Sequence, residues 1–150
     1  MVIVQSFFGS VKEYIAAVLT QGCPFSVPDR CPHPDCQAAD SLIRWGTYER
    51  GALTGKADYR IRIQRVRCKT CGRTHSLLPD FLHPHRHFVI SLLHLVVYSY
   101  LIAELGWRQV MRKLREWYDR APARATIREW VASFAYGAGP LLLGVLQRLL

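Results

Sequence analysis

Four cysteines fall in two pairs, Cys31-x4-Cys36 in CPHPDC and Cys68-x2-Cys71 in CKTCGRTH, with a longer stretch between them. Two short loops that each offer two thiolates are what a tetrahedral metal site needs, because four soft ligands must converge within a few ångströms. Gly72, directly after the second pair, suits such a loop: without a Cβ, backbone amides can approach the sulfurs in a tight turn. Zinc held by Cys31, Cys36, Cys68 and Cys71 is the expectation, one structural ion with no open coordination position. An iron-sulfur cluster takes the same ligand set. A thioredoxin-like redox pair would want a βαβ context before Cys68, and none is legible. Five cysteines leave one unpaired under any disulfide scheme, and Cys23 is read as a small apolar residue outside the site. His33 and His75 are read as polar residues of the two loops.

The second chemical signal is charge. The 150 residues carry 20 Lys and Arg against 11 Asp and Glu, a formal charge of +9, which points to a polyanionic partner. Lys56, Arg60, Arg62, Arg65, Arg67, Lys69 and Arg73 form one basic run, a surface able to track phosphates. A second cluster holds Arg108, Arg112, Lys113, Arg115, Arg120, Arg124 and Arg128 against Glu116 and Asp119. The histidine run His83–His87 lacks the carboxylates or thiols that would complete a second metal site, and is read as a polar cluster at a helix start.

These residues have to be positioned by ordinary elements. GSVKEYIAAVLT predicts a short amphipathic helix with Ser10 as N-cap, Gly22 past its end, and Val11, Ile15, Val18 and Leu19 on one face. The prolines of CPFSVPDRCPHPDC predict turns. LIRWGTY and YRIRIQRVR alternate with period two, predicting two antiparallel strands joined by the loop ERGALTGKAD, with Tyr59, Ile61 and Ile63 on one face and Arg60, Arg62 and Gln64 on the other. Pro84 suits a first helical turn, and Phe88–Ala103 predicts a strongly apolar helix ending before Gly106. Phe88–Leu105 is barely long enough for a membrane span and carries His94 and Glu104, so a buried helix of a soluble domain is the expectation and no membrane is expected. WRQVMRKLREWY and RATIREWVASF predict two further helices, the last with Ile127, Trp130, Val131 and Phe134 at core spacing. LLLGVLQRLL predicts a terminal apolar helix.

Short helix, tight turn and helix is the outline of a helix-turn-helix, whose second helix reads DNA from its N-terminal end. On that reading Arg124, Thr126 and Arg128 face DNA, supported by Arg108 and Arg112 and, on the ribbon, by Arg60, Arg62, Lys69 and Arg73. The run RVRCKTCGRTHSLLPDFLHPHRHF, a helix, and then ATIREWVASF resemble bacterial proteins that join an N-terminal zinc ribbon to a helix-turn-helix. Such proteins are the DNA-binding portion of insertion-sequence transposases, or small transposase-like proteins of unassigned function. The resemblance spans roughly Cys31 to Phe134. It implies zinc on the four cysteines and places a TxxxW recognition-helix signature on Thr126 and Trp130. The four-residue gap between Cys31 and Cys36 departs from the usual two.

The expected architecture is therefore α+β: an N-terminal amphipathic helix (1–22), a small antiparallel zinc ribbon (23–80) and an all-α helix-turn-helix unit with a terminal apolar helix (81–150). The expected function is zinc-stabilised binding of double-stranded DNA by a cytoplasmic, nucleoid-associated protein of transposase type. No P-loop, GxGxxG or nucleophile-elbow pattern occurs, the acids Asp29, Asp35, Asp40, Asp58 and Asp80 are scattered, and none follows Phe134. No catalysis and no small-molecule substrate are expected. Two other readings fit the same residues: an interaction or homodimer module using 140–150, and an RNA or single-strand binder using Trp45, Tyr48 and Tyr59 beside the arginines.

Overall fold

The computed structural model describes residues 1–118 and 121–137 of the chain. Asp119, Arg120 and 138–150, and with them the expected terminal apolar helix, lie outside the described residues. The chain divides into two compact units, one of Met1–Leu53 with Asp58–Ile90 and one of Thr54–Ala57 with Ser91–Leu150.

The first unit is built on a four-stranded sheet of β1 (Val2–Gln5), β2 (Leu42–Leu53), β3 (Asp58–Cys68) and β4 (Thr74–Pro79), in the order β1-β4-β3-β2. β2 and β3 are antiparallel, as their alternation predicts, and β4 adds antiparallel to β3; β1 adds parallel to β4. The expected loop 49–58 is largely strand. β2 continues through Glu49–Leu53 because β3 supplies a partner for every residue, from Glu49↔Arg62 to Leu53↔Asp58, and only Thr54–Ala57 turns. Gly51 does not break the strand; it makes room for His87, whose Nδ1 would lie 3.4 Å from a Cβ there. A register shift between Arg44 and Thr47 marks a β-bulge, with Gly46 at φ +107°, a conformation that favours glycine.

Register explains a change of phase along β3. Ile61 and Ile63 are buried, and so are Val66 and Cys68, which by parity lie on the opposite sheet face. Cross-strand partners assign Leu42, Val66, His75 and Leu77 to one face, and Tyr48, Arg50, Ile61, Ile63 and Leu78 to the other. One strand thus buries different faces at its two ends, which a single hydrophobic alternation cannot express.

Helix α1 (Val11–Gln21) starts with a capping box, Ser10 Oγ accepting from the Glu13 amide while the Ser10 amide donates to Glu13 Oε2 at 2.6 Å, and it ends at Gly22, φ +79°. It buries Val11 and Tyr14, keeps Ile15 and Val18 half-buried and leaves Leu19 75 % exposed, so its core face follows the expected stripe through Val11, Ile15 and Val18 but takes Tyr14 in place of Leu19. Tyr14 is the reason. Its ring is fully buried among Phe7, Phe25 and Phe81, and its hydroxyl donates to the Arg62 carbonyl at 3.1 Å, drawing the first half of the helix inward.

The segment 80–89 is irregular, not a helix start. Pro84 biases His83 away from the helical region. The guanidinium of Arg50, buried on β2, donates to the carbonyls of His83 at 3.1 Å, of Pro84 and of Arg86, so the histidine run wraps a buried cation instead of opening a helix.

The second unit holds α2 (Ile90–Leu101), which joins it at Ser91, with α3 (Trp107–Trp117) and α4 (Arg124–Tyr136). Its buried residues include Leu92, Val96, Val110, Leu114, Ile127, Trp130 and Val131. α2 is shorter than predicted, and no helix of the described residues is long and apolar enough to cross a membrane.

Candidate metal centre and basic surfaces

The four ligand atoms of Cys31, Cys36, Cys68 and Cys71 lie within 4.8 Å of one another. Cys31 Sγ is 3.8 Å from Cys71 Sγ, and Cys36 Sγ is 3.8 Å from Cys68 Sγ. A disulfide needs about 2.05 Å between sulfurs, and all five cysteines are free. A tetrahedral ion with metal–sulfur bonds of about 2.3 Å sets its sulfurs about 3.8 Å apart, the separation of these two pairs. The cluster can hold a metal ion.

Each half of the site is a turn of the same kind. In the second, the Gly72 amide donates to the Cys68 carbonyl and Gly72 sits at φ +70°. In the first, the Gln37 amide donates to the His33 carbonyl and Gln37 sits at φ +49°. His33 therefore stands where Cys68 stands, and Cys36 where Cys71 stands. The missing ligand comes from Cys31, two residues before the turn, held by its amide on the Ala38 carbonyl and by the Arg30↔Ala39 bridge. That is how a four-residue gap delivers the same pair of sulfurs.

Two groups outside the cysteines complete the surroundings. Ser41 Oγ lies 3.3 Å from Cys68 Sγ, and with the Cys71 amide it brings the Cys68 thiol down to about 6. His75, buried on β4, has Nε2 3.7 Å from Cys31 Sγ. Burial lowers its pKa, so it is neutral and can donate one hydrogen bond to a thiolate. Burial pushes the Cys31 thiol up to about 12. His33 turns instead to Asp35, and Cys23 lies near the Phe25 carbonyl, outside the cluster. Ser41 carried no signal in the sequence; His75 carried a weak one, four residues after Cys71.

Ten of the described basic residues fall on three surfaces. Arg60 and Arg62 are exposed on β3, and Lys69 and Arg73 are exposed around the second turn. Arg65 and Arg67 share the opposite sheet face, with Arg67 4.6 Å above the Trp45 ring and Arg65 6.0 Å from that of Tyr48. In the second unit Arg108, Arg112 and Arg115 of α3 and Arg124 of α4 line one groove of about 520 Å³, together with Trp107, Met111 and Glu116. Thr126 and Arg128 are not among its lining; Arg128 is exposed and Thr126 half-buried.

Residues 31–117 match the family described as "Domain of unknown function (DUF6431)", more than half of the chain, and the chain belongs to that family. The match opens at the first metal-site cysteine and closes at the end of α3, leaving β1, α1 and α4 outside it. No curated protein and no solved structure matches the chain.

Proposed function

We propose that this DUF6431 member is a zinc-stabilised protein that binds double-stranded DNA, non-catalytic by itself and of transposase type. The observation that carries the reading is the groove in which four arginines from two helices meet a single carboxylate. Arg112 and Glu116 lie 3.8 Å apart but both are solvent-exposed, so that pair neutralises little. A concave row of arginines displaces condensed counterions from a phosphate backbone. On α4, Arg124 and Arg128 stay outward while Ile127, Trp130 and Val131 are buried, the division a recognition helix needs.

Zinc suits the four thiolates better than a harder cation, and with all four positions of a tetrahedron filled it serves the fold and leaves no site for a reacting water. The transposase connection rests on the resemblance of the second cysteine loop and of the α4 segment, and a nucleoid location follows from DNA binding. Binding to a random-sequence duplex over a salt series tests the proposal. Arg108→Ala with Arg124→Ala should weaken binding at every sequence and lower the log–log salt slope by about 2. Unchanged affinity and slope would sink the DNA assignment. Zinc content should be close to one ion per chain, and Cys68→Ser with Cys71→Ser should abolish it.

A further inference from the structure

The ribbon carries an arrangement that duplex binding by the helices does not use. At the bulge of β2, Trp45 stands 49 % exposed beside Gly46, where a Cβ would meet open space. On the same sheet face Arg67 lies over the Trp45 ring at 4.6 Å, and its Nε donates to the Gly72 carbonyl of the second cysteine loop at 3.2 Å. The guanidinium is held from two directions, by an aromatic face and by a turn that the metal site fixes. Two residues back along β3, on the same face, Arg65 and Tyr48 repeat the aromatic–arginine pairing at 6.0 Å.

An arginine held this way costs little further entropy when it meets a phosphate, because its fork is already oriented. A tryptophan covered on one side by a guanidinium can take a planar π-system on the other, and every nucleobase has one. A duplex buries its base faces in its own stack, so the stacking half of this platform is open only to unpaired nucleotides. Charge is complementary as well: Arg65 and Arg67 lie on this face, and Lys69 and Arg73 follow in the adjoining turn.

We propose that the bulged face of the ribbon is a binding platform for single-stranded nucleic acid, with a base stacking on Trp45 and phosphates held by Arg67 and Arg65. The platform stands on the ribbon alone and does not require the helical groove to bind duplex DNA.

The test uses the full-length protein with an oligothymidylate of about twelve nucleotides, within the usual site size, and a random duplex of the same length. Trp45→Ala should weaken oligothymidylate binding by at least roughly tenfold while duplex affinity stays within about twofold, and Trp45→Phe should restore most of the loss. Arg67→Ala should lower affinity and reduce the salt slope by about 0.7. Arg108→Ala with Arg124→Ala, which disables the helical groove, should leave oligothymidylate binding intact, so the two proposals fail separately. Should Trp45→Ala disturb folding, Trp45→Leu keeps the bulk without the π-face and is expected to show the same loss. Wild-type indifference to oligothymidylate, an unaffected Trp45→Ala or Trp45→Leu variant, or an equal loss on duplex would each overturn the platform.

Discussion

Gly72 shows how one residue shapes the cysteine cluster. Its amide donates to the Cys68 carbonyl, its φ of +70° turns the chain back so that the Arg73 carbonyl accepts from the Cys68 amide, and an alanine there would sit in the left-handed region. Gly72→Ala should cost about 1–2 kcal/mol, measured as a shift of the urea midpoint of the metal-loaded protein. The thiols make a second prediction. Cys68, near 6, is a thiolate at neutral pH, whereas Cys31, near 12, is still a thiol. Metal must therefore displace the Cys31 proton at every pH in the working range, and affinity falls as pH is lowered. Below about 6 the Cys68 proton has to leave too, so the plot of log affinity against pH should steepen by about one proton. Chelator competition from about pH 8 to about pH 5 measures it; a pH-independent affinity would contradict the thiol assignments.

At the scale of elements, much of the ribbon was legible and the parts that were not have identifiable causes. The β2–β3 pair showed in its alternation, and the four-cysteine cluster in its spacing. β1 and β4 did not, because four to six residues give too few alternations, and β4 is buried at Leu77 and Leu78 on both faces. Gly51 read as loop, yet it is a packing position within β2, and Gly46, inside the expected strand LIRWGTY, marks a bulge that alternation does not show. The histidine run read as a helix start since nothing nearby in sequence announces Arg50 as its partner, more than thirty residues upstream. That partnership is testable. Arg50→Met keeps the stem and removes the donors, leaving the carbonyls of His83, Pro84 and Arg86 without their charged partner, and should destabilise the first unit by about 2–4 kcal/mol. Amide exchange should quicken first at Leu53, whose N–H donates to the His87 carbonyl at 2.7 Å, and at Val89, which returns a bond to Leu53. If those amides hold while the protein melts lower, Arg50 acts elsewhere.

Across the whole molecule, a charge of +9 says that anions are attracted but not where they bind. Ten of the described basic residues resolve into the helical groove, the exposed β3 and turn residues, and the aromatic-backed pair at the bulge. Each surface makes a different demand on salt. A residue that meets a duplex phosphate contributes about 0.9 to the slope of log affinity against log salt, whereas a residue that only raises the surrounding potential shifts affinity with little change of slope. Arg60→Ala, Arg62→Ala, Lys69→Ala and Arg73→Ala combined should therefore lower the duplex slope by about 3–4 if the ribbon lies on the backbone. The loss should be the same on unrelated sequences, because phosphates carry no sequence information. If the slope holds and only the affinity drops, those four residues steer DNA and do not touch it, and duplex contact belongs to the helical unit alone.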